Sequence, residues 1–227
     1  MMGWKPEILS IGDQRTPLLI FDDVDPALTK MAKESARSAT FTVADTYYPG
    51  VRAPLAMPYI EKVVGAIYHQ LYDIYNIPSR YQVGLNQAVY SLITRSPGEL
   101  SLAQTMPHID ATEALNFAVL HYLNDGQHGG TAFYRHRATG WSQITDANEQ
   151  EYFNRLNQEL TSDSVRDTYI TSSDTSFEQV AKVAYKAGRI VVYPGNLLHS
   201  TQVDASLDIS SELDAGRLTA NIFLKFT

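Results

Sequence analysis

Residues 189–200 read Arg-Ile-Val-Val-Tyr-Pro-Gly-Asn-Leu-Leu-His-Ser and combine a short apolar run with a turn signal. The consecutive apolar residues 190–193 are typical of a β-strand that is buried on both faces. Pro194-Gly195-Asn196 then favours a turn, because proline presets one backbone angle and glycine tolerates the unusual ones. The stretch therefore predicts a core strand that delivers His199 to the rim of a domain.

Short runs of the same kind recur from about residue 80 to the end of the chain. Turn formers such as Gly129-Gly130 separate them, and this arrangement predicts antiparallel strands. The predicted strands are Gln82–Ile93, Ser101–Ile109, Leu115–Tyr122, Gly130–Tyr134, Arg189–Tyr193 and Thr219–Phe226. Many short strands with turns between them indicate a mainly β fold, either a barrel or a sandwich such as a jelly roll.

The first 80 residues have a different pattern and predict helical support for that core. Asp25-Pro26 is typical of a helix start, with Asp25 as N-cap, and the helix continues from Ala27 to Ala36. A second helix is predicted over Tyr59–Tyr75, where apolar residues recur at steps of three and four. A polar insert at about 142–180 carries one short predicted helix, Glu149–Leu160. We therefore expect one domain over 1–227, with 1–80 as helical support and 81–227 as the β core.

Composition and charge narrow the classes of function. The net charge of -7 disfavours a nucleic-acid partner, which selects for a basic face. The chain has no cysteine, which excludes disulfides and thiolate metal sites. It contains no apolar stretch that approaches the roughly 20 residues of a membrane span, and no secretion signal is recognisable. We expect a cytoplasmic protein, and the sequence does not indicate its oligomeric state.

A second candidate feature is the stretch Met106-Pro107-His108-Ile109-Asp110. Residues i and i+2 of a strand point to the same side, so His108 and Asp110 are predicted to face one ion from a single strand. With His199 they provide two imidazoles and one carboxylate. That set suits a non-haem Fe(II) centre, because it leaves one face of the ion open for substrates.

The motifs of this chain follow a recognisable order. They are His108-x-Asp110, then Tyr122-Leu123-Asn124, then Gly129-Gly130 with an aromatic residue, then Pro194-Gly195 with His199, then Arg217 at the last strand. This order resembles that of the Fe(II)- and 2-oxoglutarate-dependent dioxygenases, and most of all their prolyl-hydroxylase-like branch. The resemblance covers about residues 82–226 without the insert. It implies a double-stranded β-helix, the jelly-roll and cupin-like core, with helices packed outside its major sheet.

The resemblance also implies a metal centre and a reaction. His108, Asp110 and His199 would be the iron ligands, and O2 would react there. Relatives that halogenate replace the acidic ligand by a small residue, so the presence of Asp110 favours hydroxylation. The substrate is expected to be a small molecule or a peptide or protein side chain.

The resemblance further implies a site for the cosubstrate. Arg217 would bind the remote carboxylate of 2-oxoglutarate, since a guanidinium can hold both oxygens. Thr219 would add a hydroxyl from the same strand face, and Tyr122 would be a further contact. Arg217 lies 18 residues after His199, which is longer than the family spacing. This predicts an extra loop over 204–214.

Other interpretations of the same residues stay open. An iron enzyme of this fold that uses O2 without 2-oxoglutarate would leave Arg217 with a structural role. A non-catalytic binding protein would keep a metal for structure alone. A zinc hydrolase would need a general base, for which Glu113 is the nearest acid. Four more side chains are candidates either for the pocket or for the core: Tyr90, Gln104, Asn116 and His121.

Overall fold

Two antiparallel β-sheets and three α-helices make up the fold in the computed structural model, which describes residues 4–22, 24–44, 47–160 and 166–227. The helices are α1 (Pro26–Ser38), α2 (Met57–Ile74) and α3 (Glu149–Leu160). The strands are β1 (Glu7–Ile11), β2 (Thr16–Phe21), β3 (Thr42–Val43), β4 (Gly50–Pro54), β5 (Val83–Ile93), β6 (Asn116–Tyr122), β7 (Thr131–His136), β8 (Phe177–Val183), β9 (Ile190–Pro194), β10 (His199–Thr201) and β11 (Leu218–Phe226).

The topology is that of a double-stranded β-helix, as the sequence predicts. The larger sheet has the order β1-β2-β9-β6-β11-β5-β4-β3, and the smaller one has the order β10-β7-β8. An isolated bridge between His108 and His199 extends the smaller sheet by one position. Five of the six predicted strands are confirmed, as β5, β6, β7, β9 and β11, with boundaries that differ by one or two residues.

The two predicted N-terminal helices pack against the outer face of the larger sheet. Asp25 caps α1 through a 2.9 Å hydrogen bond from the Ala27 amide, as expected. The apolar stripe of α2 joins one core cluster with alternate residues of β11, among them Leu218 and Ala220. The intervening residues, Thr219 of β11 and Arg217 directly before it among them, therefore point toward the space between the sheets. Among the helices described, none is both long and apolar enough to cross a membrane.

The first 80 residues contribute more than helices. They also supply the four strands β1 to β4. β1 pairs with β2, and β4 pairs with β5 in a register that sets Arg52 opposite Ser91. These strands extend the larger sheet at both ends. β3 and β4 are two and five residues long, too short for an alternation pattern to stand out in the sequence.

The predicted strand Ser101–Ile109 is wrong. Two short 3-10 turns occupy this region, Pro97–Glu99 and Leu102–Thr105. Each turn has a side chain that accepts from the backbone three residues earlier: Glu99 from the Ser96 amide and Gln104 from the Ser101 amide. These local hydrogen bonds compete with a strand ladder, and Pro107 has no N–H to donate to one.

The polar insert is partly integrated into the core. The helix predicted over Glu149–Leu160 is confirmed with the same bounds. β8 begins inside the predicted insert, and Ile170 and Phe177 are buried with Tyr152 of α3 in one cluster. Residues 161–165 of the insert lie outside the described ranges. The apolar residues of the insert are widely spaced among polar ones, which hid their role in the sequence.

Candidate metal centre and ligand cleft

Main-chain hydrogen bonds bring the three predicted metal ligands to one place. His199 begins β10, which pairs with β7. His108 and His199 exchange two backbone hydrogen bonds of 2.9 and 3.0 Å. The Asp110 amide donates to the Gly195 carbonyl oxygen at 2.7 Å. Segments far apart in sequence are therefore held in register by the backbone itself.

The side chains of these residues converge. Nε2 of His108 lies 3.8 Å from Oδ1 of Asp110, and Nε2 of His199 lies 3.5 Å from Oδ2. One ligand atom from each residue lies within 4.8 Å of the others. Nitrogen and oxygen ligands bind a divalent metal at about 2.1 Å, so neighbouring ligands of one ion lie roughly 3 Å apart. Small side-chain rotations reach that spacing, and the donor set fits a hexacoordinate ion that keeps an open face.

The His199 ring is oriented by contacts on its far side. Its Nδ1 donates to the Leu197 carbonyl oxygen at 2.8 Å, which leaves the lone pair of Nε2 directed at the other ligands. The ring also packs edge-on against Tyr193, with 4.8 Å between ring centroids. Such contacts fix the tautomer and reduce the entropy lost when a metal binds.

Electrostatics at the centre suit a cation. Although 45% of the His108 side chain is exposed, its ring sits among protein atoms at the cleft wall. This desolvation lowers the pKa of His108 well below its usual value, and His199 and Arg52 act in the same direction. Desolvation also raises the pKa of Asp110, against the opposing effect of His199 and Arg52. A neutral imidazole is ready to ligate, and a bound cation would favour the charged form of the carboxylate.

His108 and Asp110 line a cleft of about 370 Å³ that receives residues from both sheets. That volume is within the range of small-molecule sites. Three kinds of side chain stand out among the residues that line it. They are aromatic (Tyr47, Tyr48, Tyr169, Phe223), amide-bearing (Asn86, Gln87, Gln104, Asn116) and cationic (Arg52). Gln104 and Asn116 were candidates from sequence.

Arg217, Thr219 and Tyr122 form one buried cluster on the inner face of the larger sheet. Thr219 pairs with Tyr122 across β11 and β6. The Arg217 guanidinium lies over the Tyr122 ring, 5.3 Å from its centroid, and donates from Nε to Gly129 O (2.6 Å) and from Nη2 to Gly130 O (3.2 Å). The cluster does not itself line the cleft. Tyr48, which does, lies close enough to feel the charge of both Arg217 and Arg52.

The extra loop predicted over 204–214 contains no helix or strand, and it hides a buried carboxylate that the sequence analysis missed. Asp208 is fully buried and accepts hydrogen bonds from His128 Nδ1 (2.9 Å), from the Gly129 amide (3.1 Å) and from the Asp204 amide (2.6 Å). It therefore anchors the backbone whose carbonyl oxygen holds Arg217. An isolated aspartate in a polar loop carries no local signal of such burial.

Several other candidates lie elsewhere. His121 and Tyr90 face the helices, and His121 bonds to Tyr59 and Thr29 at 2.8 and 3.1 Å. Burial lowers the pKa of His121 to about 3, so it is a neutral core histidine. Glu113 is exposed and accepts a hydrogen bond from Asn116 at 3.3 Å. It does not line the cleft, so the zinc-hydrolase interpretation loses the residue suggested as its general base.

Comparison with known proteins gives a family. Residues 3–224 match a family described as a family of unknown function, DUF6445. The chain belongs to this family. No curated protein matches it.

Three solved structures illustrate the fold that this chain shares. HygX from Streptomyces hygroscopicus, with nickel and 2-oxoglutarate bound, has a TM-score of 0.58 at 12% identity, covering 92% of this chain and 83% of HygX. SnoN, a non-haem α-ketoglutarate-dependent epimerase from nogalamycin biosynthesis, has a TM-score of 0.53 at 14% identity. The match covers 93% of this chain and 79% of SnoN. AviO1 from Streptomyces viridochromogenes Tue57 has a TM-score of 0.51 at 11% identity. The match covers 91% of this chain and 89% of AviO1. At these identities the likeness is one of fold.

Proposed function

We propose that this protein is an Fe(II)- and 2-oxoglutarate-dependent oxygenase that hydroxylates a small molecule or a peptide side chain. The observation that carries the proposal is the convergence of His108, Asp110 and His199 beside a cleft of a double-stranded β-helix. When bound, Fe(II) with 2-oxoglutarate supplies the activation of O2. The acidic ligand Asp110 favours hydroxylation over halogenation. Assignment to the prolyl-hydroxylase-like branch and a cytoplasmic location stay predictions from the sequence.

The polar interior of the larger sheet supports a dicarboxylate ligand. The interior of a small jelly roll is ordinarily filled by apolar side chains. Here Arg217, directly before β11, and Thr219 and Asn221 within it occupy alternate positions on the inner face. Asn221 donates to Ser91 Oγ at 3.3 Å, and its Oδ1 is buried with no partner among the residues described. Buried polar groups left unsatisfied indicate a polar ligand or bound water between the sheets.

Arg217 is proposed to bind the remote carboxylate of 2-oxoglutarate, with Thr219 and Tyr122 beside it. The carbonyl oxygens of Gly129 and Gly130 occupy two of the five guanidinium N–H groups and lock the side chain in place. A guanidinium fixed before the ligand arrives loses little entropy on binding. The structures of HygX with nickel and 2-oxoglutarate, and additionally with hygromycin B, give a precedent for this fold holding a metal, the cosubstrate and a small molecule together.

The test is an anaerobic titration. Fe(II) and then 2-oxoglutarate are added to metal-free protein, and the weak visible charge-transfer band of the chelate is recorded. We expect the band in wild type and in the control His69→Ala, which changes an exposed histidine of α2, and no band in His199→Ala. Arg217→Gln should weaken 2-oxoglutarate binding about 10- to 100-fold, since a charge-assisted pair contributes about 1.5–3 kcal/mol.

Two results contradict the proposal. Iron binding by His199→Ala as tight as wild type would remove the metal assignment. An unchanged 2-oxoglutarate affinity in Arg217→Gln would remove the cosubstrate role of that residue and leave the metal centre intact.

One observation favours a second candidate. The carbonyl contacts of Arg217 would also suit a purely structural arginine in an iron oxygenase that does not use 2-oxoglutarate. Tight Fe(II) binding and O2 consumption without any charge-transfer band would select this alternative.

A further inference from the structure

Arg52 is a cation in the cleft that no sequence motif marks. It lies at the centre of β4, opposite Ser91 of β5, which in turn lies opposite Thr219 of β11. This register sets Arg52 in the same transverse row as Thr219, on the inner face of the sheet. The side chain lines the same cleft as His108 and Asp110.

Among the residues that the structure describes, no carboxylate forms an ion pair with the guanidinium of Arg52. It stacks on the Tyr48 ring, 4.6 Å from the centroid, and its Nε is buried with no hydrogen-bond partner among the described residues. Within the same ranges it forms no ion pair, and Asp110 acts on it only at longer range. Tyr48 does not supply the missing charge, because burial raises its pKa to about 12.

An arginine in this condition is poised for an anionic ligand. Desolvating a charge without a partner is unfavourable, and a planar guanidinium matches a carboxylate with two parallel hydrogen bonds. Stacking on Tyr48 fixes the plane of the guanidinium before any ligand binds. Other aromatic side chains of the cleft, including Tyr169 and Phe223, provide apolar surface for the body of the same ligand.

We propose that Arg52 binds a carboxylate of the primary substrate, so that the substrate is an organic acid with an apolar or aromatic body. This inference rests on the proposed function, since it treats the cleft as a substrate site. Arg217 and Thr219, in the buried cluster behind the cleft, remain for the cosubstrate. Arg52 shares the cleft lining with His108 and Asp110, so a substrate bound in the cleft would lie within its reach.

Calorimetry with matched probes tests the proposal. Phenylacetate and its uncharged analogue phenylacetamide are titrated anaerobically into protein loaded with Fe(II) and saturated with 2-oxoglutarate. We expect wild type to bind phenylacetate at least tenfold more tightly than Arg52→Gln does, with Arg52→Lys in between. Phenylacetamide should bind all three proteins equally and weakly. The control Arg80→Gln, at an exposed arginine that is not part of the cleft lining, should match wild type.

Three results would overturn the inference. The first is an equal affinity of wild type and Arg52→Gln for phenylacetate. The second is a wild-type protein that binds neither probe or does not prefer phenylacetate to phenylacetamide. The third is loss of the 2-oxoglutarate charge-transfer band in Arg52→Gln. The last would assign Arg52 to the cosubstrate carboxylate instead. Absence of the band in wild type with the charge preference retained would refute the proposed function while leaving Arg52 as a carboxylate receptor. Circular dichroism of each variant establishes that it is folded.

Discussion

Replacing Asp208 by asparagine is expected to destabilise the protein strongly, although the two side chains have nearly the same shape. The Asp208 carboxylate is fully buried and accepts from His128 Nδ1, the Gly129 amide and the Asp204 amide. Asparagine keeps one acceptor oxygen and turns an NH2 group toward N–H donors. Removing one member of a buried charged network costs about 3–5 kcal/mol, and each bond to a charged group contributes about 1.5–3 kcal/mol.

We therefore expect Asp208→Asn to lower the free energy of unfolding by about 3–5 kcal/mol, measured by urea denaturation. For a chain of this size the corresponding fall in Tm is roughly 6–20 °C. Asp214→Asn is the matched control in the same loop, because Asp214 pairs with Arg37 at 2.9 Å with both side chains more than half exposed. It should change stability by less than about 1 kcal/mol. If Asp208→Asn stayed within about 1 kcal/mol of wild type, the view that this carboxylate anchors the backbone beneath Arg217 would be refuted.

Two further predictions concern pH and close packing. His121 has a pKa lowered to about 3 in the folded protein, so between its unfolded value near 6.5 and pH 3 only the unfolded state takes up its proton, and stability falls as the pH falls. Between pH 6.5 and 4.5, the free energy of unfolding should therefore fall less steeply in His121→Asn than in wild type, by up to about 1.4 kcal/mol per pH unit. Parallel profiles of unfolding free energy against pH in the two proteins would contradict this. Gly129→Ala should lower the free energy of unfolding, measured with denaturant, by about 1–3 kcal/mol or more, because the added Cβ would overlap the Gln202 carbonyl oxygen. Gly98→Ala, where a Cβ meets nothing within 4 Å, is the control, and equal effects of the two substitutions would argue against the close contact.

Features that depend on short-range patterns could be read from the sequence. The stripe of α2, the N-cap at Asp25 and the alternating or apolar strands β5, β6, β9 and β11 follow from periodicity and capping chemistry. Two histidines and an aspartate in a given order were enough to nominate a metal site. The number and spacing of the strands indicated a barrel or a sandwich, and the family resemblance carried by the motif order implied the double-stranded β-helix.

Only the tertiary structure decided which side chains share the cleft. Arg52 faces His108 and Asp110 because of the pairing register of β4 with β5, and the five residues of β4 carry no pattern from which that register can be read. Asp208 is buried because a loop folds back on Gly129, about 80 residues earlier in the chain. Local propensity extends over only a few residues. The strand predicted over Ser101–Ile109, which includes His108, was wrong for that reason. Long-range backbone pairing set the position of His108 against His199, and with it the geometry of the candidate site.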